Sequence, residues 1–264
     1  LSRIKDVLIR NGKEQKALVA FLTAGDPGIE QTKDFIRELI RAGADLIEIG
    51  IPFSDPIAEG PVIQNANLRA LAGGVDTNQI FQLAAEIRQE SSVPLVFMTY
   101  LNLVFHYGYE GFFSRCQQAG VDGIILPDLP FEEKREVADI ADKYGVDVIS
   151  LLAPTSENRI RVIAEEAQGF IYLVSSMGVT GVRETIDTDL ESLSTLIRKH
   201  TAIPCFIGFG ISRPEQAVEM AAISDGVIVG SAIVKLIETH GNEAGRYIYE
   251  YVRSMKEAVM SARP

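Results

Sequence analysis

Eight short apolar runs recur along the chain, at 17–23, 46–50, 94–100, 123–127, 146–153, 170–175, 204–210 and 226–230. Each is nearly continuous in apolar residues, rich in β-branched and aromatic side chains, and flanked by Gly or Pro. That pattern predicts strands buried on both faces, as in a parallel sheet, rather than half-wet antiparallel strands. Longer amphipathic stretches separate them. Residues 30–42 carry Phe35, Ile36, Leu39 and Ile40 at helical spacing and end before Gly43, a C-cap residue. Residues 78–89 place Ile80, Leu83, Ala84 and Ile87 on one face. Residues 131–144 open with Glu132 and Glu133, which suits a helix N-terminus. Further helices are expected at 156–167, at 214–222 with Ser212 as N-cap, at 242–260, and at 2–11 ahead of the first strand.

Eight strands alternating with helices predict a closed α/β architecture, a (β/α)8 TIM barrel with an extra N-terminal helix, formed by residues 1–264 as one domain. An open doubly wound sheet is the alternative. Its glycine fingerprint after the first strand is absent, because that strand runs into Thr23-Ala24-Gly25-Asp26. Two strand-to-helix loops are long: one from residue 51 to about 67, the other from 176 to about 188. Long loops on the C-terminal face of a barrel are where chemistry is expected.

Three features on that face point to chemistry. The second strand contains Glu48 between Ile47 and Ile49. A carboxyl in an apolar strand has to be paired or raised in pKa, and a raised pKa lets it donate and accept a proton near neutral pH. The loop that follows, 50–61, holds three prolines, two glycines and two acids, Asp55 and Glu59. A second carboxylate across a substrate supports paired acid and base steps. Asp55, before Pro56, also reads as a turn residue. The third feature is glycine: Gly208 and Gly210 after the seventh strand, Gly230-Ser231 after the eighth, and Gly178 and Gly181 flanking Val179-Thr180. Backbone N–H groups at such loops and at helix N-termini close on phosphate oxygens. Phe21, Ile63, Tyr100 and Phe209 lie near strand ends and together predict a slot for a flat apolar group. Tyr172 lies within the sixth strand, where a buried hydroxyl needs a partner.

Composition narrows this without redirecting it. The chain has 264 residues, 47% of them hydrophobic, and a formal net charge of -11. An acidic surface argues against nucleic acid and anionic membrane as partners, so an anion site here has to rest on local donors. No apolar run is long enough for a membrane span. Cys116 and Cys205 have no metal-ligand or CxxC spacing, and His106, His200 and His240 match no metal motif, so no metal site is expected. Reduced cysteines and a charge-interleaved start predict a cytoplasmic protein.

Segments spanning the chain resemble one family, the tryptophan synthase alpha subunit. They are Phe21-Leu22-Thr23-Ala24-Gly25-Asp26-Pro27, Glu48-Ile49-Gly50-Ile51-Pro52-Phe53-Ser54-Asp55-Pro56, Tyr100-Leu101-Asn102-Leu103-Val104-Phe105, Pro127-Asp128-Leu129-Pro130, Gly178-Val179-Thr180-Gly181 and Gly208-Phe209-Gly210-Ile211-Ser212. The resemblance implies a lyase of tryptophan biosynthesis. It would cleave indole-3-glycerol phosphate to indole and glyceraldehyde 3-phosphate by a retro-aldol reaction without a cofactor. It implies Glu48 as general acid/base, Glu59 as the acid that holds the indole N–H, and Tyr172 beside them as a further catalytic residue. It further implies Phe21, Ile63, Tyr100, Phe209 and Thr180 around the substrate, and Gly181, Gly210, Gly230 and Ser231 around the phosphate. Pro52, Asp55 and Asn102 would face a beta subunit that carries pyridoxal phosphate, in an alpha2beta2 heterotetramer. Two positions depart from the family pattern: Glu59 stands where Asp is usual, and Ser176 where Arg is common. A stand-alone indole-releasing lyase and a diverged subunit that mainly activates its partner remain alternatives at this stage.

Overall fold

The computed structural model of the chain describes residues 3–7, 9–10, 13–174, 190–208 and 210–262. Eight parallel strands form its centre: β1 (Ala17–Thr23), β2 (Leu46–Gly50), β3 (Leu95–Met98), β4 (Gly123–Ile125), β5 (Asp147–Val148 and Ser150–Leu152), β6 (Ile171–Val174), β7 (Cys205–Gly208) and β8 (Gly226–Val229). Each pairs with the next in chain order, and β8 returns to β1 through Gly226↔Ala17 and Val229↔Ala20. The two stretches of β5 complete the ring, the first against β4 and the second against β6.

Helices wrap the ring: α1 (Ile29–Ala42), α2 (Pro61–Ala72), α3 (Thr77–Glu90), α4 (Leu101–Tyr107), α5 (Tyr109–Ala119), α6 (Arg135–Lys143), α7 (Glu157–Glu165), α8 (Leu190–His200), α9 (Pro214–Ile223), α10 (Ser231–His240) and α11 (Ala244–Ser261). Their ends follow local chemistry. Gly43 closes α1 at φ 101°, the left-handed conformation that glycine adopts without a Cβ penalty. Asp76 opens α3 by accepting from Gln79 N–H at 2.9 Å, and the Gln79 side chain accepts from Asp76 N–H in return. At α9 the cap is Arg213 rather than the expected Ser212, because Gln216 Oε1 reaches back to the N–H groups of both residues.

Alternation along the strands makes two cores. Leu18, Ala20 and Leu22 of β1 face the helices, while Ala17, Val19 and Phe21 face the barrel interior. Phe170 and Phe206 meet inside at 4.9 Å between ring centroids. Burying side chains of this size contributes about 1.5–3 kcal/mol each.

The N-terminal segment differs from the expected helix at 2–11. It is a single 3-10 turn, Arg3–Asp6, followed by a two-residue antiparallel pairing of Ile9–Arg10 with Lys13–Glu14. Ile4 and Val7 are buried in the interior cluster, and Arg3 is held to Asp122 through Nη1 at 2.8 Å and its backbone N–H at 3.1 Å. Inserting two apolar side chains into the barrel interior, rather than continuing a helix, is what orders this segment. The long loop after β2 also ends earlier than expected. Pro61 begins α2 at its first turn, a position that needs no N–H. Among the described residues no helix is long and apolar enough to cross a membrane.

Candidate active site

Glu48 owes its place to strand alternation. Leu46, two residues earlier, belongs to the interior cluster, and Ile47 and Ile49 to the outer one, so Glu48 faces inward. Its strand register sets it beside Phe21 of β1 and Val96 of β3. The residue is 1% exposed, and Oε2 has no hydrogen-bond partner. Burial alone pushes its pKa up to about 8. At pH 7 such a carboxyl is mostly protonated, yet close enough to its midpoint to give and regain a proton. Among the described residues no group of three or more His, Cys, Asp or Glu is arranged to hold a metal ion.

Tyr172 comes from the opposite wall, in β6, paired with Phe206 and Leu151. Burial raises its hydroxyl well above the usual tyrosine value, and the Glu48 charge raises it further. The two groups are therefore electrostatic neighbours. Gly208 makes room for this tyrosine, since a Cβ there would lie 2.5 Å from Tyr172 Oη. Phe21 is fitted in the same way, because a Cβ on Gly50 would lie 2.8 Å from its ring and one on Gly230 3.1 Å.

The second carboxyl is held differently. Glu59 ends the loop after β2, just ahead of α2, and is 5% exposed. The Tyr100 hydroxyl donates to Glu59 Oε2 and accepts from Ile57 N–H and Ala58 N–H, each at 2.9 Å. Phe53 stacks on Tyr100 with ring centroids 5.0 Å apart. Burial raises the Glu59 pKa and the Asp128 charge adds to this, while the Tyr100 hydrogen bond opposes it. Asp128 in turn accepts from Leu101 N–H at 2.9 and 3.1 Å, which fixes the start of α4 next to Tyr100. Ile63, in the first turn of α2, packs in the interior cluster with Phe21 and Tyr172.

The structure thus brings Glu48, Tyr172, Phe21 and Ile63 into one buried group, and ties Tyr100 to Glu59. Gly230 and Ser231 stand at the N-terminus of α10, and Gly210 adopts φ 84° after β7. Thr180, Gly181, Phe209 and Ser176 lie outside the described residues. Sequence reasoning took Tyr100 as a wall of an apolar slot and missed its hydroxyl as the hub of the loop. It also missed the pairing of Asp26 with Arg69, at 2.9 and 2.8 Å, which ties the β1 loop to α2. Nothing local in the sequence joins those two positions. Buried hydroxyls of Thr23 and Thr99, at the ends of β1 and β3, have no hydrogen-bond partner and were likewise not singled out.

The family model described as tryptophan synthase alpha chain matches residues 9–260. This chain belongs to the tryptophan synthase alpha chain family. It is 48% identical to the tryptophan synthase alpha chain of Caldanaerobacter subterraneus over 263 residues, covering 100% of this chain and 98% of that one. The alpha chain structure from Legionella pneumophila superposes with TM-score 0.88 at 35% identity, covering 98% of this chain and 97% of that one. A structure of the tryptophan synthase a2b2 complex from Pyrococcus furiosus superposes with TM-score 0.85 at 38% identity, covering 91% and 98%. Within this family frame the barrel expected from sequence holds.

Pro52 is buried, whereas Asp55 and Asn102 are exposed. Around them Ile57 is 72% exposed and Phe105 68% exposed, one on the β2 loop and one on α4. Large apolar side chains held this far out on adjoining elements are a feature of surfaces that bind another protein.

Proposed function

We propose that the chain cleaves indole-3-glycerol phosphate to indole and glyceraldehyde 3-phosphate by a cofactor-free retro-aldol reaction, as the alpha subunit of a tryptophan synthase. The observation that carries this reading is the buried Glu48 carboxyl on the inner face of β2, its Oε2 without a hydrogen-bond partner and its pKa raised to about 8. Protonated Glu48 gives its proton to indole C3, which makes the ring a cationic indolenine. The resulting carboxylate takes the proton from the hydroxyl on the adjoining side-chain carbon. A carbonyl forms there, the carbon–carbon bond breaks, and its electron pair returns to the ring. Glu48 ends protonated, ready for the next turnover.

Glu59 accepts the indole N–H, whose acidity rises as the ring becomes cationic, and Tyr100 orients that carboxylate. Tyr172, Phe21 and Ile63 enclose the ring. Gly210, Gly230 and Ser231 supply backbone and hydroxyl donors to the phosphate, with α10 adding the favourable end of its dipole. Thr180, Gly181 and Phe209 complete these groups by family likeness. The beta partner carries pyridoxal phosphate and consumes the indole, in an alpha2beta2 assembly in the cytoplasm. Exposed Ile57 and Phe105 beside Asp55 and Asn102 favour this over a stand-alone lyase.

The test is indole release from indole-3-glycerol phosphate by the purified chain, with and without a beta subunit. Turnover is expected alone and increased by the partner. No turnover in either case contradicts the lyase reading, and strong turnover unchanged by the partner favours the stand-alone enzyme.

A further inference from the structure

The barrel wall between β4 and β5 is joined only at its lower end. Gly123 and Ile124 pair with Asp147 and Val148, and Ile149 N–H donates to Ile124 C=O at 2.9 Å. Beyond that level Ser150–Leu152 pair with β6 alone, and Leu126 C=O turns to accept from Leu129 N–H at 3.1 Å. A cavity of about 320 Å³ occupies this seam. Its walls are mostly apolar, with Leu126, Leu129, Phe131, Val148, Leu151 and Ile163 among them. Two cations, Lys134 and Arg159, also line it, and no carboxylate does.

The two cations are in different circumstances. Arg159 is half-exposed and is answered by Glu132 in an ion pair. Lys134 is 9% exposed, and its ammonium donates to two neutral acceptors, Ser150 Oγ at 3.2 Å and the Glu166 carbonyl at 3.3 Å. Among the described residues no carboxylate lies in ion-pair range of it. Burial lowers its pKa, partly offset by Glu166 and Asp147 further away. A buried ammonium without a counter-charge is costly, and an anion bound beside it recovers that cost. An ammonium has three donors, so two hydrogen bonds leave capacity for a third acceptor. One cation without a close ion pair, among mostly apolar walls, matches a single negative charge on an apolar body better than a phosphate dianion.

We propose that this seam is a binding site for a small organic monocarboxylate, its carboxylate on Lys134 and Ser150 and its compact apolar body among Leu129, Phe131, Val148 and Ile163. Val148 and Ser150 sit on strand positions of the opposite parity to Ile149, an interior-cluster residue, so the Lys134 end of the seam lies on the helix side of the wall, while Ile149 and Leu151 line its barrel end.

The probe is 4-fluorobenzoate, followed by fluorine NMR titration of the purified chain, with neutral 4-fluorobenzyl alcohol as comparison. Saturable binding of the carboxylate is expected, at least about tenfold tighter than the alcohol, since one charge-assisted hydrogen bond is at stake. Lys134→Gln should weaken the carboxylate by about the same factor, while saturating glycerol 3-phosphate and Glu48→Gln should leave it unchanged. The carboxylate–alcohol comparison uses the unaltered chain, so it stands even if Lys134→Gln fails to fold. Three results would overturn the proposal: no saturation at concentrations on the order of 10 mM, equal affinity for alcohol and carboxylate, or displacement by glycerol 3-phosphate.

Discussion

Glu48 and Glu59 are both nearly buried, and the structure treats them in opposite ways. Glu48 is held by backbone: it sits mid-strand, its direction is set by alternation, and no hydrogen bond answers Oε2. Glu59 is held by side chain: it ends a loop, and Tyr100 fixes both its carboxylate and the two N–H groups before it. A strand-borne group surrounded by apolar walls keeps a tunable proton. A loop-borne group with a hydroxyl donor keeps a direction. The same residue type thus gives a proton carrier in one place and an oriented acceptor in the other.

The largest effect that separates them is expected from Glu48→Gln. Removing a general acid/base lowers turnover by about 10²–10⁴-fold, with phosphate-ligand binding retained, which steady-state rates and titration check together. The same change should stabilise the fold. Glu48 has a pKa raised from 4.5 to about 8. The folded state therefore binds the proton more tightly, and wild-type stability falls as pH rises between those two values, then levels off. Relative to pH 4, Glu48→Gln should gain about 3 kcal/mol over wild type at pH 7, read from denaturant unfolding at both pH values. A difference that does not grow with pH would mean Glu48 is already ionised.

Gly208→Ala probes the same region by packing. Its Cβ collides with the Tyr172 hydroxyl, so a loss of about 1–3 kcal/mol is expected in unfolding experiments. Wild-type stability would mean the tyrosine moves freely. On the loop side, Tyr100→Phe leaves Ile57 N–H, Ala58 N–H and Glu59 without their partner. Stability should fall by about 1–2 kcal/mol, and turnover should fall with a smaller change in phosphate-ligand affinity. The smallest effect is expected from Glu59→Asp, which shortens the reach to Tyr100. About 1 kcal/mol of transition-state stabilisation should be lost, seen in kcat/KM. A gain in rate would instead mark the longer acid as a handicap, and the comparison between the two carboxyls would need a different second member.

Much of this was legible in the residues, for identifiable reasons. The strands were readable because burial on both faces leaves near-continuous apolar runs, and Glu48 stood out because it interrupts one of them. The glycines were readable as rim residues, but their work against Phe21 and Tyr172 was not, because it depends on which strands adjoin. The Tyr100 hub and the Asp26–Arg69 pair joined positions 41 and 43 residues apart. No local pattern encodes such partners. The N-terminal segment misled because Ile4 and Val7 have helical spacing, and that spacing equally serves a 3-10 turn whose side chains are taken up by the interior. Lys134 was not singled out in the sequence, because only the seam between β4 and β5 makes it a buried cation.

The most direct test of the central claim is a titration of the Glu48 carboxyl itself. Carbon-13 NMR of chain labelled at glutamate side-chain carboxyls, with Glu48→Gln to assign the signal, reads its protonation across pH. The account predicts one buried glutamate with a midpoint near 8. A midpoint within the ordinary glutamate range, about 4 to 5, would contradict it.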